Sequence, residues 1–328
     1  MSHKLKVGEL QVDYMTDEEI WRTLTNVLSN KSMKSSTYKF ALIKSIIENL
    51  YQVNDKYELT YDQLAYGFAK VYWNLVVHHN LVKQNRGQKS AQAVTVMLDF
   101  QRTYGIPKEF SFDKINNSLQ LKLVSKMKTV MKSNVYGALY GDTKGQFYAF
   151  DHKTEHFKVK PSVLEFMRKY QRLIVNLTNH HMAKMIEDLN EVPSINYLLD
   201  KVESIAKRSS LKPFEKVLLH HFEASCFYCG KDLSNRNRKT EVDHFIPWSF
   251  VQSDQIWNLV LSCRTCNNNK RAKLPHDQYL ELIVERNDAL KSYESEMLMK
   301  NYHDQKIILL YDYSIKNGFD DIWVPQRS

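Results

Sequence analysis

CFYCG at 226–230 and WNLVLSCRTCNNNK at 257–270 hold all four cysteines of this 328-residue chain, as two Cys-x-x-Cys pairs. Two disulfides would be the other use for four cysteines. However, the amino-terminal MSHKLKVGELQVDYMTDEE lacks the apolar core of a secretion signal, so the spacing predicts one metal site in a soluble, cytoplasmic protein. Four thiolates from Cys226, Cys229, Cys263 and Cys266 suit tetrahedral Zn²⁺, and a closed four-thiolate shell makes that zinc structural. Gly230 suits the knuckle because glycine tolerates positive φ. The segment is too short to have much core of its own, so the metal is expected to hold it folded.

Thirty-three residues separate the pairs, and they include TEVDHFIPWS at 240–249. Asp243 and His244 end a short β-like run there, Asn258 follows, and Asn267 comes directly after the last cysteine. An Asp-His pair alone says little. Asp151-His152 lies apart from any cysteine framework and reads as turn and surface. His78-His79, His180-His181 and His220-His221 sit on expected helices, where adjacent residues diverge by about 100° and do not share a metal. Trp248 could stack on a base, and the expectation is a place in the small core.

The ordered combination of Asp243-His244, Asn258 and Cys-x-x-Cys-Asn at 263–267 resembles the HNH (ββα-metal) endonuclease superfamily, in its four-cysteine zinc subgroup. STYKFALIKSI, CFYCG, VDHFIPWSF and LPHDQYLELIVERN also resemble bacterial HNH proteins with a helical amino-terminal region. The first resemblance covers about residues 226–275. It implies that neutral His244 takes the proton from an attacking water, and that a bulge or loop lets Asp243 and His244 approach one phosphate. It also implies that Asn258 hydrogen-bonds the loop carrying His244. Asp243 and Asn267 would ligate a catalytic Mg²⁺ or Mn²⁺, with Asn268 and Asn269 as other choices for the second ligand. Many relatives carry histidine where this chain has Asn267, and some place another where it has Arg271. The resemblance implies that asparagine is tolerated, as in phage junction-resolving endonucleases, and oxygen donors favour Mg²⁺ or Mn²⁺ over a second zinc.

A formal net charge of +9 and a pI near 9.1 favour a polyanionic partner, nucleic acid above all. Arg264, Lys270, Arg271 and Lys273 surround the expected helix start after Cys263 and are candidate phosphate contacts. No apolar run approaches the roughly 18 residues of a membrane span.

The expected fold is α+β, mostly α. Residues 1–210 form a mainly helical region for target or partner recognition or regulation. Helices are expected at 16–28, 36–53, 60–81, 89–104, 114–133, 161–189 and 194–208, with a β-meander at 135–160. The RSSLKP stretch marks a boundary near 210. Residues 211–328 form the nuclease domain, with helix at 212–222 and two closing helices at 276–292 and 293–317. The function expected is metal-dependent hydrolysis of DNA to leave a 3′-hydroxyl, in bacterial restriction or phage defence. The alternatives are a zinc-stapled nucleic-acid-binding module that does not cut, and a nuclease for RNA, since phosphate contacts alone do not separate RNA from DNA.

Overall fold

The computed structural model describes residues 5–11, 14–29, 36–190, 210–234, 240–251, 254–293, 299 and 302–325. The chain forms two compact units, 1–207 and 208–328.

The first unit runs β1 (Val7–Gly8), α1 (Asp17–Leu28), α2 (Tyr38–Glu48), β2 (Glu58–Thr60), α3 (Tyr61–Trp73), α4 (Gln92–Thr103), α5 (Asn117–Asn134), α6 (Tyr136–Asp142), β3 (Tyr148–Asp151), β4 (His156–Val159), α7 (Pro161–Lys169) and α8 (Gln171–Asn190). Capping boxes start α1 and α3: Thr16 and Glu19 exchange hydrogen bonds of 3.3 and 2.9 Å, and Thr60 and Gln63 bonds of 3.2 and 2.7 Å. Every residue of α2 from Tyr38 to Ile47 is buried, which makes it the central helix. Its lysines are buried only because they are paired: Lys39 meets Asp142, and Lys44 donates to Asn179 at 2.5 Å.

Several boundaries differ from the sequence expectation. The α form of the 60–81 segment stops at Trp73 and continues as π-helix from Asn74 to His78, where Asn74 Oδ1 accepts from the Phe112 N–H at 2.8 Å. The single helix expected over 161–189 is two, broken at Tyr170. The helix expected at 194–208 lies outside the described residues.

The meander is shorter than 135–160, because its first half is α6. What remains is the β3–β4 hairpin, extended by two strands distant in sequence into an antiparallel sheet of order β1-β3-β4-β2. Aromatic content suggested strand throughout, yet Tyr136 and Tyr140 are helical and pack their rings onto that sheet. Gly8 permits the close approach, since a Cβ there would lie 2.6 Å from the Phe150 ring. Asp151 starts a turn, as expected, by accepting from the Lys153 N–H at 2.8 Å. His152 is not a surface residue: it is half-buried, with Nδ1 2.9 Å from the Tyr61 hydroxyl.

The second unit runs α9 (Lys212–His221), β5 (Thr240–His244), α10 (Trp248–Val251), β6 (Leu259–Cys263), α11 (Arg264–Lys270), β7 (Leu274–Pro275), α12 (Gln278–Tyr293), α13 (Asp304–Lys316) and β8 (Ile322–Trp323). Antiparallel β5 and β6 followed by α11 make the ββα core. The second closing helix starts at Asp304 rather than 293, with His303 extended at its N-cap. The first closing helix, α12, holds the hairpin and the segments flanking it by their main chain. Arg286 on α12 donates to the Leu259 carbonyl at 2.7 Å, Asn287 to the Trp257 carbonyl at 2.9 Å, and Tyr279 to the Tyr228 carbonyl at 3.1 Å. Trp248 is only half-buried, and Phe250 and Val251 supply the buried face of α10. No helix among the described residues is long and apolar enough to cross a membrane.

Candidate active site and metal centre

The two knuckles bring the four cysteine Sγ atoms within 4.8 Å of one another, the one such cluster among the described residues. In the first knuckle the Gly230 N–H donates to the Cys226 carbonyl at 2.8 Å, and Gly230 takes φ +68°. A Cβ there would meet nothing within 4 Å, so conformation rather than space calls for glycine. In the second, Cys263 is the N-cap of α11, and its Sγ accepts from the Cys266 N–H at 3.4 Å. Cys229 and Cys263 Sγ are 3.9 Å apart, close to the roughly 3.8 Å implied by tetrahedral Zn–S bonds of about 2.3 Å. Burial, then the neighbouring thiols, push the Cys266 thiol up. Four thiolates at this spacing need a cation between them, and zinc fits the donor set.

Asp243 lies on β5 opposite Val260, with its side chain buried. Its Oδ2 accepts from the Tyr228 hydroxyl at 2.7 Å and from Lys270 Nζ at 2.9 Å. Burial first, and then the Asp243 charge, hold the Tyr228 phenol well above its ordinary range, so it stays a donor. Lys270 Nζ also donates to the His244 carbonyl at 2.7 Å. The expectation that Lys270 contacts phosphate is therefore corrected. Its side chain has no solvent exposure, because α11 turns that face onto β5.

His244 is the last residue of β5, paired with Leu259. Its Nε2 meets Asp254 Oδ1 at 2.8 Å. The expected bulge between Asp243 and His244 is absent: the register runs unbroken from Thr240–Cys263 to His244–Leu259. What bends away is the chain beyond, and Asn258 holds it there. Asn258 Oδ1 accepts from the Ile246 N–H at 2.8 Å, its Nδ2 donates to the Ile246 carbonyl at 3.0 Å, and its own carbonyl accepts from the Phe245 N–H at 2.8 Å. Both side-chain functions of Asn258 are used on the loop.

Asn267 is the fourth residue of α11, three before Lys270 and on the same face. Its Nδ2 donates to Glu241 Oε2 at 2.7 Å. Glu241 is two residues before Asp243 and so shares its strand face. The helix and strand thus meet in two adjacent pairs, Asn267 with Glu241 and Lys270 with Asp243. Oxygen donors from Asp243, Asn267 and Glu241 suit a hard divalent cation such as Mg²⁺ or Mn²⁺. Asn268 and Asn269 are exposed instead.

The remaining basic candidates differ among themselves. Arg264 is exposed at the start of α11. Arg271 is exposed, left-handed at φ +51°, with Nε donating to the Asn268 carbonyl at 3.0 Å. Lys273 pairs with Asp321 at 3.0 Å.

Three partners of the site escaped the sequence reading, Tyr228, Glu241 and Asp254, as did the inward turn of Lys270. Glu241 could have been found from its position two before Asp243 on a strand. Asp254 carried no local signal, being ten residues from His244 across a loop.

Residues 226–276 match the family model described as HNH endonuclease. This stretch is an HNH endonuclease domain of the four-cysteine type. No curated protein and no solved structure matches the chain.

Proposed function

We propose, from the HNH endonuclease domain at 226–276, that this protein is a metal-dependent endonuclease that hydrolyses DNA in the cytoplasm and leaves a 3′-hydroxyl. What supports it is one hairpin carrying a buried Asp243–His244 pair, an Asn258 clamp just before its second strand and a four-cysteine cluster beside its open end. A module that only binds nucleic acid has no use for a proton acceptor and a metal-ligand carboxylate side by side on one strand.

With Asp254 accepting from Nε2–H, His244 Nδ1 bears the lone pair that takes the proton from the attacking water. Asp243 and Asn267 hold the divalent cation, which when bound neutralises phosphoryl charge and stabilises the leaving oxygen. Lys270 and Tyr228 fix the Asp243 carboxylate, and Asn258 fixes the loop after His244. Arg264 and Arg271 are the exposed cations placed to meet backbone phosphates. The helical unit selects the target or a partner, in a restriction or phage-defence setting.

The test is incubation of plasmid with zinc-loaded protein and Mg²⁺ or Mn²⁺, beside His244→Ala. Wild type is expected to nick or linearise the plasmid, and the variant to leave it intact. Intact plasmid with both proteins, across both metals and with modified DNA, would overturn the proposal; cleavage of RNA alone would move it to an RNA substrate.

A further inference from the structure

Lys270 has no exposed side-chain surface, and a lysine is almost never buried without a partner. Here Nζ lies 2.9 Å from Asp243 Oδ2, 2.7 Å from the His244 carbonyl and 6.0 Å from the centre of the Tyr228 ring. A fixed positive charge therefore sits against the carboxylate proposed to hold the catalytic cation. It repels a divalent ion and neutralises the ion's anionic ligand.

We propose that Lys270 is a positioning residue with two effects: it locks Asp243 and the His244 main chain in place, and it keeps the divalent cation loosely bound. The inference rests on the nuclease proposal above. Lys270 and Asn267 lie one helical turn apart, so the lysine holds one ligand while its neighbour on the same face supplies the other. Because Lys270 cancels the charge of Asp243, the anionic character left beside Asn267 comes from Glu241. Such a site recruits its cation together with a negatively charged phosphate, rather than storing it.

The experiment titrates Mn²⁺ into full-length, zinc-loaded protein by calorimetry and measures plasmid cleavage at saturating Mn²⁺. Lys270→Met and Lys270→Gln both remove the charge, and Gln keeps a donor. In either variant Mn²⁺ affinity is expected to rise about tenfold or more while the cleavage rate falls by a similar factor, the scale of one close charge pair. Lys270→Arg keeps the charge and should leave Mn²⁺ affinity within about threefold of wild type. A merely structural lysine would weaken metal binding and cleavage together. Unchanged or weaker Mn²⁺ binding in a neutral variant with full zinc content and a cooperative melt overturns the inference, as does failure of both neutral variants to fold. If wild type neither binds Mn²⁺ nor cuts, the nuclease proposal itself falls.

Discussion

His244 Nε2 and Asp254 Oδ1 lie 2.8 Å apart, and both side chains are almost closed to solvent. An acceptor on Nε2 selects the tautomer with its lone pair on Nδ1 and holds the ring in one orientation. His244→Ala should therefore cut the cleavage rate by about 10²–10⁴-fold, the usual worth of a positioned proton acceptor. Asp254→Ala, which frees the ring without removing it, should cost about 10–100-fold. Single-turnover plasmid cleavage measures both. Equal rates for Asp254→Ala and wild type would show that the carboxylate does not orient the base.

Removing the metal tests the staple. Four thiol groups within 4.8 Å of one another tie the two knuckles together only through a shared cation, so the second unit should melt at a lower temperature after treatment with a strong chelator and recover with Zn²⁺. Cys229→Ser, at the most exposed of the four, should lower zinc content and the melting temperature together. Cys263→Ser should do at least as much, because Cys263 Sγ also caps α11. Metal analysis at one zinc per chain in wild type is the reference.

Tyr228 and Lys270 converge on one oxygen of Asp243, yet they do different things there. Tyr228→Phe removes a single hydroxyl donor and keeps the ring against Tyr279 and Trp323. A hydrogen bond to a charged group is worth about 1.5–3 kcal/mol, so urea unfolding of the second unit should lose stability on that scale. Zinc content should not change. A loss far below 1 kcal/mol would mean that water replaces the hydroxyl freely.

In the first unit pH is the probe. His152 is held below its ordinary pKa by burial first, with the Lys132 charge adding to it. Main-chain hydrogen bonds at Lys132 and Leu5 and the Asp151 charge pull the other way. Tyr61 and Tyr136 face its ring. A histidine with a depressed folded pKa binds its proton more readily when unfolded. Its contribution is therefore intact above the unfolded value near 6.5, and is lost as pH falls through that value toward the folded one. Melting of the first unit should fall between pH 7 and pH 5 in wild type, and by less in His152→Gln. An identical pH slope in the two proteins would remove His152 from the account.

Much of this was legible in local sequence. Capping boxes at Thr16 and Thr60 announced α1 and α3, and the cysteine spacing announced the knuckles, because each depends on residues three or four apart. The unread parts are long-range. Strands β1 and β2 are two and three residues long and exist only through pairing with β3 and β4. Two- and three-residue strands have no periodicity of their own to read. Lys270 looked like a surface cation beside Arg271, and only the packing of α11 on β5 turns it inward. The His244–Asp254 contact likewise crosses a loop whose path no local pattern encodes.

Asn267 remains the residue on which the cation assignment turns. Its Nδ2 is committed to Glu241, so the side-chain oxygen is its other polar atom. Asn267→Ala removes both functions while leaving Cys266, the preceding residue, able to ligate zinc. It should lower Mg²⁺-dependent cleavage by about 10–100-fold and raise the Mg²⁺ concentration needed for half-maximal rate. Asn267→Asp keeps an oxygen ligand and sets a second carboxylate against Glu241. That pair repels without a cation and is relieved by one, so Mg²⁺ should raise the melting temperature of this variant more than that of wild type. If Asn267→Ala cuts as fast as wild type across the whole Mg²⁺ titration, the second ligand is not Asn267, and Glu241 becomes the residue to substitute next.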